Sequence, residues 1–339
     1  MQPDASARQS NRRSYGPLLR LGVTLIIAAF FLRVVLKQTS LHALSARLHT
    51  ANWPLMIAGM ILFYAVYVFR GLRIYVMIRG QFSLDRCTAA AAFYQMLLTY
   101  MPAGLGNVAL PAILSRYGGV RTTSGTKMLI AIKLLDTAVI CGVACIAGLT
   151  AAHLGPIFRT IALFAGICAA IGLAGLFWPH RLGPIAIALW RRVSRGKPSR
   201  TGTWIESVLT VSDAAAFRRR LPALFGCSMA FGLGRVIANW TTLNALGVHL
   251  SVWQAGYQWA FVSLAGALPF QPPAGLGLSD AIRMALLFTL GQAVTSAAEV
   301  VVISRAIVVP LDMVMTALSW LYLARRGAAH TAEPAPPSE

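Results

Sequence analysis

The phrase Pro-Ala-Gly-Leu-Gly occurs twice in this chain, at 102–106 and at 273–277, and each copy interrupts a long apolar stretch. Proline removes a backbone donor, and glycine accepts sharp turns and close approach by other segments. Around these breaks lie several apolar runs longer than the roughly 18 residues that mark a membrane span. Of the 339 residues, 57% are hydrophobic and only 12% are charged. The expected fold class is an all-α polytopic membrane protein.

Full spans are expected near Leu18–Leu36, Trp53–Ile78, Thr126–Thr150, Ile157–Trp178, Pro222–Leu246 and Ala293–Leu323. The first follows Arg8, Arg12 and Arg13, as a signal peptide would, but no small-residue cleavage site follows, so it reads as a retained span. The two broken stretches, 87–117 and 252–290, have arms of about 15–18 residues, short of a full crossing at 1.5 Å per residue. Arg70, Arg73, Arg79 and Arg86 precede the first stretch, and Arg116, Arg121 and Lys127 follow it. With both clusters cytoplasmic, that stretch enters and leaves on one side. The second is flanked by uncharged loops and dips in from the opposite side. This gives six full spans and two re-entrant helical hairpins, eight apolar segments in all. The alternative is eight ordinary spans kinked at proline.

The repeat extends beyond the pentapeptide. Tyr94-Gln95 precedes the first copy and Tyr257-Gln258 the second, while Lys133 and Arg305 follow at nearly equal distances. Arg73 and Arg235 match less closely. Each repeat reads span, hairpin, span, and the odd span Ile157–Trp178 inverts the second copy. Two inverted repeats with broken helices place a transport site at the bilayer midplane. The boundaries are then a tail 1–17, a membrane half 18–178, a basic loop 179–221, a second half 222–325 and a tail 326–339. The Ala/Pro-rich last tail is expected to be disordered. Within the loop, Trp204–Arg220 reads as a surface helix.

Thirty Lys and Arg against ten Asp and Glu give a formal charge of +20. The basic residues alternate with apolar runs, the positive-inside pattern, which argues against nucleic acid as a partner. It implies that both termini are cytoplasmic; the expected location is a bacterial inner membrane. The Arg181–Arg220 loop holds nine of them and is expected to lie on anionic headgroups. The five cysteines sit in or beside apolar segments and read as packing residues. The six histidines are scattered, and no carboxylate pair, nucleophile with base, metal-ligand spacing or phosphate-binding loop emerges. No catalytic residue, metal or cofactor is therefore expected.

The candidate site is a substrate-binding one. The returning arm of each hairpin starts at a break, where helix amides lack partners and carry partial positive charge. Such a terminus suits phosphate or carboxylate. Pro102, Gly104, Gly106, Pro273, Gly275 and Gly277 are the residues of these breaks; the alternative role for them is close packing alone. Ionisable residues inside spans are costly and default to function. These are Lys133, Arg235 and Arg305, with Asp136, Asp280 and Glu299, and with Arg73 nearer the cytoplasmic face. The cations would hold a lipid phosphate, and the acids would balance charge or meet a cationic headgroup. The alternative for each is an internal salt bridge.

These residues also carry a resemblance. Leu246-Gly247-Val248, Leu268 to Asp280 and Ser304-Arg305 in the second half, with Arg70–Arg73, Met101–Gly106 and Lys133–Asp136 in the first, resemble the membrane domain of lysylphosphatidylglycerol synthase/flippase proteins. The likeness covers most of 15–325. Two positions depart from the family's pattern: Asp280 stands where Glu is usual, and Ile132-Lys133 where Glu-Arg is usual. The aminoacyl-transferring members carry a soluble catalytic domain after the membrane part. This chain stops at Glu339, so the resemblance implies a stand-alone flippase-like protein rather than that enzyme. The expected function is binding and translocation of an amphipathic, anionic lipid. The rival readings are an enzyme or non-catalytic subunit of lipid or isoprenoid-lipid synthesis. A lipid-biosynthetic enzyme docked on the loop and a homo-oligomer are the expected partners besides lipid.

Overall fold

The computed structural model describes residues 37–78, 82–101, 106, 108–150, 156–177, 214–266 and 277–331, with a few isolated positions besides. The expected first span, most of the basic loop, and the break residues Pro102, Gly104, Pro273 and Gly275 lie outside them. Among the described residues all regular structure is helical. The helices are α1 (Leu41–Thr50), α2 (Trp53–Ala65), α3 (Tyr67–Met77), α4 (Leu84–Tyr100), α5 (Ala109–Gly118) and α6 (Thr122–Thr150). They continue with α7 (Pro156–Phe177), α8 (Ala214–Ala245), α9 (Val252–Ala265), α10 (Leu278–Thr289) and α11 (Val294–Thr331).

Local chemistry sets the ends. Asn52 caps α2 by accepting the Leu55 amide at 3.1 Å. Ser251 and Gln254 form a reciprocal capping box on α9, with contacts of 3.2 and 2.8 Å. After α5, α8 and α10 the chain turns through Gly119, Gly247 and Gly291, each with positive φ, a conformation that suits glycine at helix ends. Four segments are long and apolar enough to cross a membrane: Trp53–Met77, Thr122–Thr150, Phe217–Ala245 and Val294–Arg325. The first of these bends at Val66, between α2 and α3. α7 packs on α6 and turns Leu163, Phe164, Ile167 and Ile171 outward. The molecule is a multi-pass, membrane-embedded helical protein.

Two boundaries differ from the sequence reading. Ala214–Arg220, expected at the end of a separate surface helix, is continuous with the span in α8, and Pro222 lies inside that helix. Pro222 stands in the third turn of that helix, where it has no amide to donate to the carbonyl four residues back. At the other end α11 runs on to Thr331, into the stretch expected to be disordered.

Both broken stretches double back. α5 has 10 residues and α10 has 12, about 15 and 18 Å at 1.5 Å per residue, against roughly 30 Å of hydrocarbon. α4 packs on α5, and α9 on α10. Gly118 closes the first hairpin against the Phe82 ring, where an added Cβ would stand 3.4 Å away. Phe82, Cys87 and Leu114 share a core with Leu323, near the end of α11. Leu250, Leu286 and Leu290 share another with Ala297, near its start. The hairpins therefore open at opposite ends of α11. Each also packs across the chain's midpoint: α4 lies on α11 and α9 on α6, while α8 runs along α2 and α3.

Small residues make these approaches close, as membrane helix packing requires. Ala90, Ala91, Ala144 and Ala147 are buried. Gly71 of α3 meets α4 so tightly that a Cβ would fall 2.5 Å from Thr88 Cα.

Candidate functional site

The interior polar residues occur at helical spacings of three and four, which put each set on one face. α3 contributes Arg70 and Arg73; α6 contributes Lys133, Asp136 and Thr137; α8 contributes Ser228, Phe231 and Arg235. These faces border a cavity of about 210 Å³. Gln95, Leu98 and Thr99 of α4 line it from the first hairpin, and Trp259, Ser263 and Gly266 line it from the second. The C-terminal ends of α4 and α9 thus border one space. A smaller void of about 20 Å³ adjoins it, bounded by Arg70, Arg73, Tyr94, Lys133 and Asp136.

The charges divide into a paired set and an uncompensated set. Asp136 holds the buried Arg73 in an ion pair and approaches Arg70 at 3.5 Å. Arg73 also donates to Ser228 Oγ at 2.8 Å, tying α3 and α6 to α8. Arg70 donates to Gln95 and lies over the Phe231 ring, 4.3 Å from its centroid. Lys133 forms no ion pair among the described residues; its nearest aromatic is the Tyr94 ring, at 6.0 Å. Arg235 likewise forms no salt bridge among the described residues, though it hydrogen-bonds with Tyr67 and feels the charge of Asp312. It packs over Phe63 at 3.4 Å and reaches the Phe63 carbonyl at 3.5 Å. Three cations, Arg70, Arg73 and Lys133, therefore surround Asp136, while Arg235 lies within the field of Asp312. Neither hairpin tip adds a charge, since 101–107 and 267–276 contain no ionisable side chain.

A second cluster sits on α11 and the returning arm α10. Asp280 accepts from Arg305 Nε at 2.6 Å and from the Gly277 amide at 3.2 Å. This corrects the expectation that the second break offers free amides at Gly277: the chain's own carboxylate already caps that helix. Arg305 and Asp280 do not line the cavity. Gly106 packs against α4, where an added Cβ would fall 2.4 Å from Leu98 Cα. Glu299 stands apart. It pairs with Arg47 at 3.2 Å, and Arg47 also reaches the Ser296 carbonyl and hydroxyl, binding α1 to α11.

Of the expected site residues, the structure gathers Arg73, Lys133, Asp136 and Arg235. It places Asp280 with Arg305, and removes Glu299 to the periphery. Two residues were not expected in these roles. Arg70 was read as a flanking charge, yet it faces the cavity. Asp312, buried on α11, accepts from Tyr64 at 3.0 Å and Tyr100 at 3.3 Å, tethering the end of α4 to α2 and α11. Its position inside an apolar run was the available signal.

Fold and site together define an integral membrane protein with a cationic cavity at the meeting of two helical hairpins. The chain belongs to the lysylphosphatidylglycerol synthase TM region family, whose model matches residues 18–315. Neither a curated protein nor a solved structure matches it. The family relates the chain to lipid handling.

Proposed function

We propose that this chain binds the anionic headgroup of a membrane lipid in the central cavity and carries it between leaflets, without catalysing a reaction. The observation that carries the reading is the pair Lys133 and Arg235. Both are cations on a cavity wall and neither forms a salt bridge among the described residues. Unpaired charge at membrane depth costs at least roughly 2.5 kcal/mol per residue and marks substrate pathways. In this account residues 18–178 and 222–325 are inverted halves with six full spans and two re-entrant hairpins. The exchanged packing of α4 on α11 and α9 on α6 supports that plan. Rocking of the halves exposes the cavity to one leaflet and then the other. The basic loop 179–221 lies on anionic headgroups of a bacterial inner membrane, with both termini cytoplasmic. That loop is also where a lipid-biosynthetic enzyme would dock, and a homo-oligomer is compatible with the exposed α7 face.

Native mass spectrometry of lipid retained after purification tests the binding. The wild-type protein retains anionic phospholipid, and a Lys133→Gln/Arg235→Gln variant loses it. Its melting temperature stays level or rises, because neither cation leaves a carboxylate unpaired. Retention of only neutral or zwitterionic lipid by the wild type would overturn the proposal. Turnover of a lipid precursor by the purified protein would instead establish an enzyme.

A further inference from the structure

We infer that the head held in this cavity is a phosphomonoester dianion, a terminal phosphate, rather than the phosphodiester of common phospholipids. The inference rests on the lipid-headgroup reading above. Arg70, Arg73 and Lys133 surround Asp136, which compensates one of these three charges, and Arg235 lines the same cavity. Asp312, whose charge acts on Arg235, does not line the cavity and already accepts from two tyrosine hydroxyls, so the wall keeps a surplus of about two positive charges. A phosphodiester brings one negative charge. A phosphomonoester brings about −1.5 to −2 at neutral pH and three terminal oxygens.

The donors match that supply. Arg70 Nε, Arg73 Nε and Tyr94 Oη are buried with no hydrogen-bond partner among the described residues. All three residues bound the small void beside the cavity, together with Lys133. Arg73 and Tyr94 are 1% and 5% exposed, so water does not solvate them freely. A phosphate in the cavity meets Arg70, Lys133 and Arg235 on its wall, with the Arg73 and Tyr94 donors behind them at the void of about 20 Å³. A diester, with two terminal oxygens and an ester group beyond the phosphate, satisfies fewer of them. At about 210 Å³, the space suits a compact head rather than an oligosaccharide.

The test compares two probe lipids with the same acyl chains, dioleoylphosphatidic acid and dioleoylphosphatidylmethanol, titrated into protein held in nanodiscs of zwitterionic lipid. One extra charge-assisted contact set predicts about tenfold tighter binding of the monoester. Lys133→Gln should reduce that preference to about twofold or less, and Lys133→Arg should retain it. Equal affinity for the two lipids overturns the inference while leaving the lipid reading intact. Binding of neither lipid defeats both. A third arm adds inorganic phosphate at millimolar concentration. Failure to displace the monoester lipid assigns the site to a lipid head, whereas full displacement assigns the same dianion chemistry to a soluble phosphate.

Discussion

Replacing Asp136 by Asn removes one charge and almost no volume, which makes it a clean probe of the paired half of the site. Arg73 is 1% exposed and has Asp136 as its ion-pair partner, with Ser228 Oγ at 2.8 Å as its other polar contact. After the substitution its guanidinium stays buried without a counter-charge. Breaking a buried pair from one side costs about 3–5 kcal/mol. At roughly 2–4 °C per kcal/mol, the melting temperature should fall by about 6–20 °C. The measurement belongs in neutral detergent free of anionic lipid, because a bound anion would supply the missing charge. Removing both partners, as Arg73→Met/Asp136→Leu, leaves no orphan charge and should restore most of the loss. Melting of Asp136→Asn within about 1 °C of wild type would refute the claim that this pair holds α3, α6 and α8 together. So would a double variant no more stable than the single one.

Four further outcomes follow from the geometry. Gly71→Ala places a Cβ 2.5 Å from Thr88 Cα, so α3 and α4 must separate at a cost of about 1–3 kcal/mol, read as reduced folded yield and a lower melting temperature. Gly106→Ala drives the first tip against Leu98, where the Cβ would be 2.4 Å from the backbone, and should slow lipid movement more than it lowers stability. Glu299→Gln loses only a partly exposed pair with Arg47, worth about 1 kcal/mol or less, and should leave lipid binding unchanged in the same native mass-spectrometric assay. In a background without native cysteine, single cysteines at Ser83 and Arg121 should label from one side of the membrane, and those at Ser251 and Ala293 from the other; labelling of Ser83 and Arg121 from opposite sides would contradict the hairpin plan.

The helices and their breaks were legible in the sequence because they depend on local chemistry. Apolar runs, glycine turns and the two Pro-Ala-Gly-Leu-Gly phrases act within a few residues. Lys133 and Asp136 could be picked out for the same reason: each is an ionisable side chain inside an apolar run. The pairings were not legible, because they join residues remote in the chain. Asp280 read as an acid balancing charge at a ligand, with an internal salt bridge as the alternative; it caps Gly277 and binds Arg305, 25 residues on. Glu299 read as interior, yet Arg47, far upstream, claims it at the end of the bundle. Arg70 lay in a run of arginines that suggested a flank, and only the close packing of α3 on α4 and α8 turns it inward. Asp312 depends on Tyr64 and Tyr100 from two other helices, and no spacing rule joins three segments so far apart.

The central claim is that a headgroup enters the cationic cavity between the hairpin tips and crosses the bilayer there. Its most direct test is lipid movement in sealed vesicles containing the purified protein. Fluorescent phosphatidic acid is distributed across both leaflets and dithionite is added outside. In protein-free vesicles dithionite bleaches only the outer leaflet, about half the signal. Wild-type protein should carry bleaching well beyond that, and Lys133→Gln/Arg235→Gln, folded and equally abundant, should return it to the protein-free level. Bleaching that stops at the outer leaflet with wild-type protein, or proceeds equally in the double variant, would contradict the account.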